Sequence, residues 1–570
     1  MRGPVFTRSA MTLAVAFSVG AAQAALLSPW TTVVNNGTNA PDVANGAVYF
    51  SYNQPSVNDR GLVAFRARAR PPVGGASGAA GVGEPLRGIF TRDMSVAASP
   101  VVTIASNMGP YDIVPQPNNT GGTFNEMPSF PRIDAASNTV AFRGQSTPVL
   151  EYQVGVDPVT GEASTTRGGT SGVYTNPQGT LITGASLLGN VNNATFPANP
   201  DLSHFQVPGT TPGTRFDQFP GAPTVTGNTV AFKGNWAGQT GVYFRDTVAN
   251  GGTSPVVKIA SSGDSFDNGQ GGTSVFGSTA PPSASNGKVT FLGLDNEAAP
   301  TAGGIFVSAL SNPSNLLSLV KIGVTQIGNG ISAVFKSIGE ALSFDNRHIG
   351  FWGSWGSDTR EVTVKCPTDG NQSLKTACLA QDTSGTVGDG IYTFAVPQDQ
   401  GIFVVDIETG AITMKARAGQ GQLFDDFLFW NFSGAPDDAG SDDADQEAPR
   451  WRSNAFLAQD DFNTVFKALS GGVVGLYGNF GDELDDMFTI AQVGQDGATI
   501  DPAAAGMAIT SLGLERDGFR NGWLAINAGM ANADESWAGI YVARVPEPPM
   551  LMLAALALWA AGMQTRRRTA

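Results

Sequence analysis

The 570-residue sequence predicts an all-β repeat protein closed into a ring. Three observations carry that expectation. A two-part strand pattern recurs seven times in one order, 72 Gly and 35 Pro punctuate a chain with only 14% charged residues, and a strand missing from the last repeat has its counterpart near the N-terminus. A hydrophobic content of 41% suffices for a packed interior and argues against wholesale disorder.

The first part of each repeat is a strand of the type Asn-x-Val-Ala-Phe, ending at Phe65, Phe142, Phe232, Phe291, Phe351, Phe466 and, in degenerate form, Ile526. The second is a short Gly-apolar-aromatic strand: Gly88-Ile89-Phe90, Gly172-Val173-Tyr174, Gly241-Val242-Tyr243, Gly304-Ile305-Phe306, Gly401-Ile402-Phe403, Gly475-Leu476-Tyr477 and Gly539-Ile540-Tyr541. One such triplet is expected by chance in a Gly-rich chain, but seven that each follow a partner strand are not. A third strand follows most units, as in Val102-Thr103-Ile104-Ala105 and Val257-Lys258-Ile259-Ala260.

In Thr139-Val140-Ala141-Phe142 alternation puts Val and Phe on one face and Thr and Ala on the other, so neither face is strongly polar and both are expected to be buried. Sheets stacked face to face, small residues admitting large ones, satisfy that pattern in a β-propeller. The last repeat runs straight into the C-terminal segment with no room for its third strand. Thr31-Thr32-Val33-Val34-Asn35-Asn36-Gly37 resembles the third-strand sequences and would close the ring, leaving no open edge. The expectation is a seven-bladed β-propeller over residues 25–544, with a β-solenoid or tandem β-sandwiches as alternatives. Repeats of roughly 75 residues exceed the ~40–50 of known blades, so the excess is assigned to loops at 66–87, 144–170, 357–389 and 433–450.

The ends read as sorting signals. Arg2 and Arg8 precede the apolar run Met11–Ala22, and Ala22-Gln23-Ala24 offers small residues to signal peptidase, so residues 1–24 are expected to be a signal peptide cleaved after Ala24. Residues 545–570 comprise Val545-Pro546-Glu547-Pro548-Pro549, an apolar run from Met550 to Met563, and Arg566, Arg567 and Arg568. The prolines keep the stretch extended, the apolar run halts translocation, and the arginines stay cytoplasmic. A run shorter than the ~20 residues of a stable span fits a transient membrane anchor. Together these parts resemble the PEP-CTERM sorting signal. The resemblance implies processing by an exosortase-type enzyme and, after a membrane-anchored intermediate, delivery to the cell surface or exopolysaccharide matrix of a Gram-negative bacterium. Asn58-Asp59-Arg60-Gly61-Leu62-Val63-Ala64-Phe65 also resembles the NxxGxxAF tandem repeat of surface proteins, complete at that one place.

Cys366 and Cys378 lie close together in a Thr-, Asp- and Gly-rich insert; export and the absence of nearby His favour a small-loop disulfide over zinc or redox chemistry. A net charge of −15 without an internal basic patch argues against nucleic acid as a partner. The two histidines, His204 and His348, lie in different repeats and accompany no hydrolase elbow or zinc-protease motif. No cofactor is expected, save that Asp437, Asp438, Asp442, Asp443, Asp445 and Glu447 offer the hard oxygens calcium prefers. That cluster lacks the Gly-centred twelve-residue loop, and a solvated acidic loop is the plainer reading; the same holds for Asp482, Glu483, Asp485 and Asp486. Trp236, Trp352 and Trp355 are candidates for sugar stacking, with blade-rim packing as the alternative. The functional expectation is a non-enzymatic binding or structural protein of the exopolysaccharide. Its rival is a secreted glycan-active enzyme using paired carboxylates in the central channel.

Overall fold

The computed structural model describes residues 27–42, 46–70, 85–117, 122–146, 150–156, 159–168, 171–187, 205–211, 214–368, 372–381, 388–434 and 449–545. Within Trp30–Ala543 seven antiparallel sheets stand in a ring, making a seven-bladed β-propeller. Every first-part strand predicted from sequence is the second strand of a blade and every Gly-apolar-aromatic strand is the third, paired in register as in Phe65↔Phe90, Phe232↔Tyr243 and Phe466↔Tyr477. The predicted third elements are the outer strands: Val101–Ser106, Val257–Ser261, Asn312–Lys321, Ile412–Ala418 and Met487–Gln492. Ile182–Ser186 fills that place in blade 2. Thr31–Asn35 pairs antiparallel with Ser536–Arg544, Thr31 opposite Val542, so the N-terminal strand completes blade 7 as expected. The solenoid and tandem-sandwich alternatives fall with that closure.

The recurring glycine has a steric cause. A Cβ on Gly172, Gly241, Gly401 or Gly539 would stand 2.5–2.7 Å from the aromatic side chain two residues further along its own strand. The ring therefore folds back over the glycine and meets its cross-strand partner, with Phe291–Phe306 and Phe351–Phe403 stacked at 5.7 and 5.4 Å. A third ring meets the pair edge-on in several blades, as Phe216 does Tyr243 at 5.0 Å.

Blades stack small against large. Ala64 and Ile89 of blade 1 pack on Val140, Phe142 and Tyr174 of blade 2. Ala141 and Val173 of blade 2 pack on Val230 and Phe232 of blade 3, and Ala231 and Val242 of blade 3 on Val289 and Phe291 of blade 4. The same contact joins blade 7 to blade 1, where Ala525 and Ile540 meet Val63 and Phe65.

Seven short strands line the axis: Ser56–Val57, Arg132–Ile133, Thr224–Thr226, Ser283–Ser285, Ser343–Asp345, Leu457–Asp460 and Phe519–Arg520. Each pairs with the beginning of the Val-Ala-Phe strand that follows it. Asn286-Gly287 and Asn521-Gly522 take positive φ at both turn positions, as a two-residue hairpin of the primed type requires.

Two of the predicted loops are strand-bearing. In 144–170 a separate hairpin pairs Leu150–Val156 with Ala163–Gly168. In 357–389 the blade-5 strands His348–Lys365 and Ile391–Asp406 run on past an irregularity at Trp355/Thr359 as a two-stranded arm. The arm is capped by the helix Gln372–Ala380, and the Cys366–Cys378 disulfide ties the helix back to the arm. The insert thus forms pairing of its own because alternating residues such as Val362, Val364, Tyr392 and Phe394 give it a face to bury.

Candidate functional site

The axis is filled by charge. Asp517 accepts from Arg132 Nε and from Arg520 Nη2, both at 2.6 Å, and all three side chains are almost wholly buried. Arg132 also donates to Pro282 O at 2.8 Å and to Ser283 Oγ at 2.6 Å. Arg520 reaches Gln459 O at 3.0 Å, Phe344 O at 2.8 Å and the Asp345 carboxylate at 3.2 Å. One carboxylate and two guanidiniums thereby connect blades 2, 4, 5, 6 and 7. Burial pushes the Asp517 carboxyl up, but Arg132 and Arg520 outweigh it and hold the group below its ordinary range.

A cavity of about 600 Å³ opens at the end of the ring from which the inner strands start. Its walls are the segments just ahead of those strands, among them Pro128, Phe130, Pro220, Pro281, Phe456 and Leu514. Five cations line it: Arg143, Lys233, Arg450, Arg452 and Arg516. Three carboxylates face them: Glu297, Glu340 and Glu515. Glu297 accepts from Ser278 Oγ at 2.9 Å and lies 3.6 Å from Arg450; burial pushes it up, but Ser278, Lys233 and Arg450 bring it below its ordinary range. Glu515 sits at the cavity floor, 3.4 Å from Arg516 and 3.5 Å from Arg132, and there burial wins and its pKa is raised.

The opposite end of the axis is acidic. Asp59, Asp345 and Asp460 follow or end their inner strands near Arg520, and Asp134 follows its own near Asp59. Burial and the neighbouring Asp345 carboxylate push Asp59 up to about 6, only partly offset by Arg520.

A hairpin of Phe429–Ser433 and Arg450–Asn454 forms one wall of the cavity. Alternation along the second strand sends Arg450, Arg452 and Asn454 to the cavity, while Trp451 points away to Phe432 at 5.4 Å and Tyr392 at 5.5 Å. Trp430 stacks on Phe394 at 4.2 Å. The disulfide-capped arm therefore holds the strand that carries two of the five cations.

Sequence reasoning placed the channel but not these residues. A signal was present: the position directly after the Phe of the second strand holds Arg66, Arg143, Lys233 and Lys467, a cation in four repeats of seven. Two of the four line the cavity. The acidic cluster Asp437–Glu447, His204, Ala22, Ala24, and the sorting residues Pro546, Glu547, Pro548, Arg566, Arg567 and Arg568 lie outside the described residues; Val545 directly follows the last strand. His348 bridges two blades, its Nδ1 2.7 Å from Asp461 Oδ1. Trp352 and Trp355 are buried, Trp352 Nε1 donating to Gln400 at 3.0 Å, and Trp236 donates to the Tyr243 hydroxyl at 2.9 Å. All three are packing residues. Glu483 and Asp486 cap a single helical turn, and no cluster able to hold a metal occurs among the described residues. No helix among them is long and apolar enough to cross a membrane.

No protein family and no curated protein matches the chain. Among solved structures it is similar to the β-propeller domain of the Trilobed protease from Pyrococcus furiosus, at 8% identity and a TM-score of 0.24 over 75% of this chain and 96% of that one. It is also similar to Porphyromonas gingivalis dipeptidyl peptidase 4, at 9% identity and a TM-score of 0.28 over 87% of this chain, and spans 59% of that protein's length.

Proposed function

We propose that the chain is an exported propeller of the cell surface or extracellular matrix, freed of both terminal signals by signal peptidase and an exosortase-type enzyme, that binds exopolysaccharide without transforming it. The observation that carries the reading is the closed ring. The domain's first strand, Thr31–Asn35, and its last, Ser536–Arg544, belong to one blade. Cleavage after Ala24 and near Pro546 therefore removes nothing the propeller needs. The charged lock at the axis further supports a scaffold, since its guanidiniums are committed to the blades rather than to a reacting group.

The intact mass of the protein recovered from its host's surface and medium tests the processing step. Loss of residues through Ala24 and of the tail beyond Pro546 is expected, and a retained tail would make this an ordinary anchored protein. A second reading, a glycan-active enzyme, draws on Glu515, whose raised pKa suits a general acid, with Glu340 lining the same cavity. Turnover of the host exopolysaccharide that disappears in Glu340→Gln or Glu515→Gln would replace the binding reading by that one.

A further inference from the structure

We propose that the Cys366–Cys378 disulfide is a redox switch for the axial cavity: the wall that carries Arg450 and Arg452 takes its final form only once that bond has closed. The switch depends on the reading above only for the export of the chain, and works whatever the cavity binds.

The wall is a sheet that cannot stand alone. Phe429–Ser433 and Arg450–Asn454 pair with each other and with no other strand among the described residues. A lone two-stranded hairpin is marginal at best in water, so its order comes from what packs on it. One end rests on blade 6, where the Phe429 ring lies 5.9 Å from Phe456 and 4.4 Å from Lys467 Nζ. The other end forms the cavity, since Ser433 and Arg450 pair there and both line it. What holds that end is the arm and its helix. Trp430 stacks on Phe394 at 4.2 Å and Trp451 lies 5.5 Å from Tyr392. Gln381, directly after the helix, donates to Pro449 O at 2.9 Å, next to Arg450.

The helix in turn depends on the disulfide. Gln372–Ala380 is nine residues long, short of the ~12–15 at which a helix becomes even marginal on its own. Cys378 is its buried residue, and the bond to Cys366 fixes it to the end of the arm strand His348–Lys365. The Cys378 carbonyl accepts from the Tyr392 hydroxyl at 2.5 Å. The same tyrosine packs on Trp451, so contacts run without a gap from the disulfide to the strand of Arg450 and Arg452. Two thiols close the bond by exchange with a disulfide donor, which takes up their two electrons and two protons; an oxidising compartment sustains the product and a cytoplasm opposes it. The cavity wall is therefore completed only after export.

Hydrogen exchange on the processed protein, with and without dithiothreitol, tests the switch. The dithiol leaves as its cyclic disulfide, and intact mass after thiol alkylation checks that reduction is complete. Exchange is expected to quicken by about tenfold or more in both Gln372–Ala380 and Arg450–Arg452, less at Phe429, and to stay unchanged in the inner strands. Cys366→Ser with Cys378→Ser is expected to give the same pattern without reductant. Phe394→Ala, with the disulfide intact, is expected to quicken the hairpin and leave the helix at the wild-type rate. Unchanged exchange at Arg450–Arg452 after reduction, an equal rise in the inner strands, or a hairpin that keeps its protection in Phe394→Ala would overturn the proposal. Terminal signals retained on the protein from its host would instead sink the export reading, while the coupling of disulfide to wall is decided by exchange alone.

Discussion

Asp517→Asn removes one negative charge from the axis while keeping the shape of the side chain. Arg132 and Arg520, both essentially inaccessible, would then share a neutral amide in place of a carboxylate that accepts two 2.6 Å hydrogen bonds. Asp345, 3.2 Å from Arg520, and Glu515, 3.5 Å from Arg132, remain, but Glu515 is itself pushed toward its neutral form. Breaking a buried pair from one side typically costs about 3–5 kcal/mol. Unfolding entropy near 2.1 cal/mol/K per residue gives a ring of roughly five hundred residues about 1 kcal/mol per degree, so the melting temperature is expected to fall by about 3–5 °C. Because Asp517 is held below its ordinary value of 3.8, this contribution is present above that pH and is lost as acid drives pH down through the folded pKa. Differential scanning calorimetry at neutral pH measures the drop. An unchanged melting temperature would refute the claim that the lock joins the blades. Arg132→Met combined with Asp517→Leu and Arg520→Met supplies the control, since exchanging a whole buried ionic cluster for apolar groups is often neutral or stabilising.

Other perturbations act at Asp59 beside the lock, at Lys415 in an outer strand and at the disulfide of the arm. Asp59, pushed up to about 6 from 3.8, contributes stability that is full below pH 3.8 and is lost as pH rises through 6. Asp59→Asn is therefore expected to be more stable than the wild type at pH 7 and no more stable at pH 4, by urea titration at both. Lys415 is fully buried, its Nζ 3.3 Å from the Phe462 ring centroid, and burial lowers its pKa from 10.5 to about 7. The unfolded chain binds more protons between those values, so stability should rise with pH from about 7 to 10.5, a slope that Lys415→Met should reduce. Reducing Cys366–Cys378, twelve residues apart, releases a loop constraint of about 3 kcal/mol. Hydrogen exchange should then quicken in Gln372–Ala380, while an equal rise in the inner strands would show that the arm is not a separate unit.

The strands that bury aromatic and β-branched side chains were legible because burial on both faces demands Val, Phe and Tyr, and because the stacked ring demands a glycine two residues before it. Ring closure was legible for the same reason: Thr31–Asn35 carries the sequence of an outer strand. The seven inner strands were not. They are two to four residues long, and Ser56, Arg132, Ser283, Ser343 and Arg520 are polar yet buried, so neither length nor alternation marks them. They hold because these polar groups are met by other blades, as Ser343 Oγ donates to Arg516 O at 2.6 Å and Ser56 Oγ to Pro131 O at 3.0 Å. The cavity was hidden for a related reason. Its charges come from six blades, and only the ring brings Arg143, Lys233 and Arg516 around one cavity.

Strand exchange between the two ends also sets an order of assembly. Thr31 and Val542 are opposite each other in the sheet but more than five hundred residues apart along the chain. Bringing such ends together in an unstructured chain would cost about 5–6 kcal/mol in loop entropy. Once the intervening blades have stacked, most of that cost has been met by other contacts. The first strand to leave the ribosome is therefore the last to find its partner, and pulse-labelled exchange should show Thr31–Asn35 as the slowest segment to gain protection. Until then Ser536–Arg544 presents an unpaired edge, and refolding at high protein concentration exposes that edge to strands of other chains. Folding at high dilution keeps the pairing intramolecular.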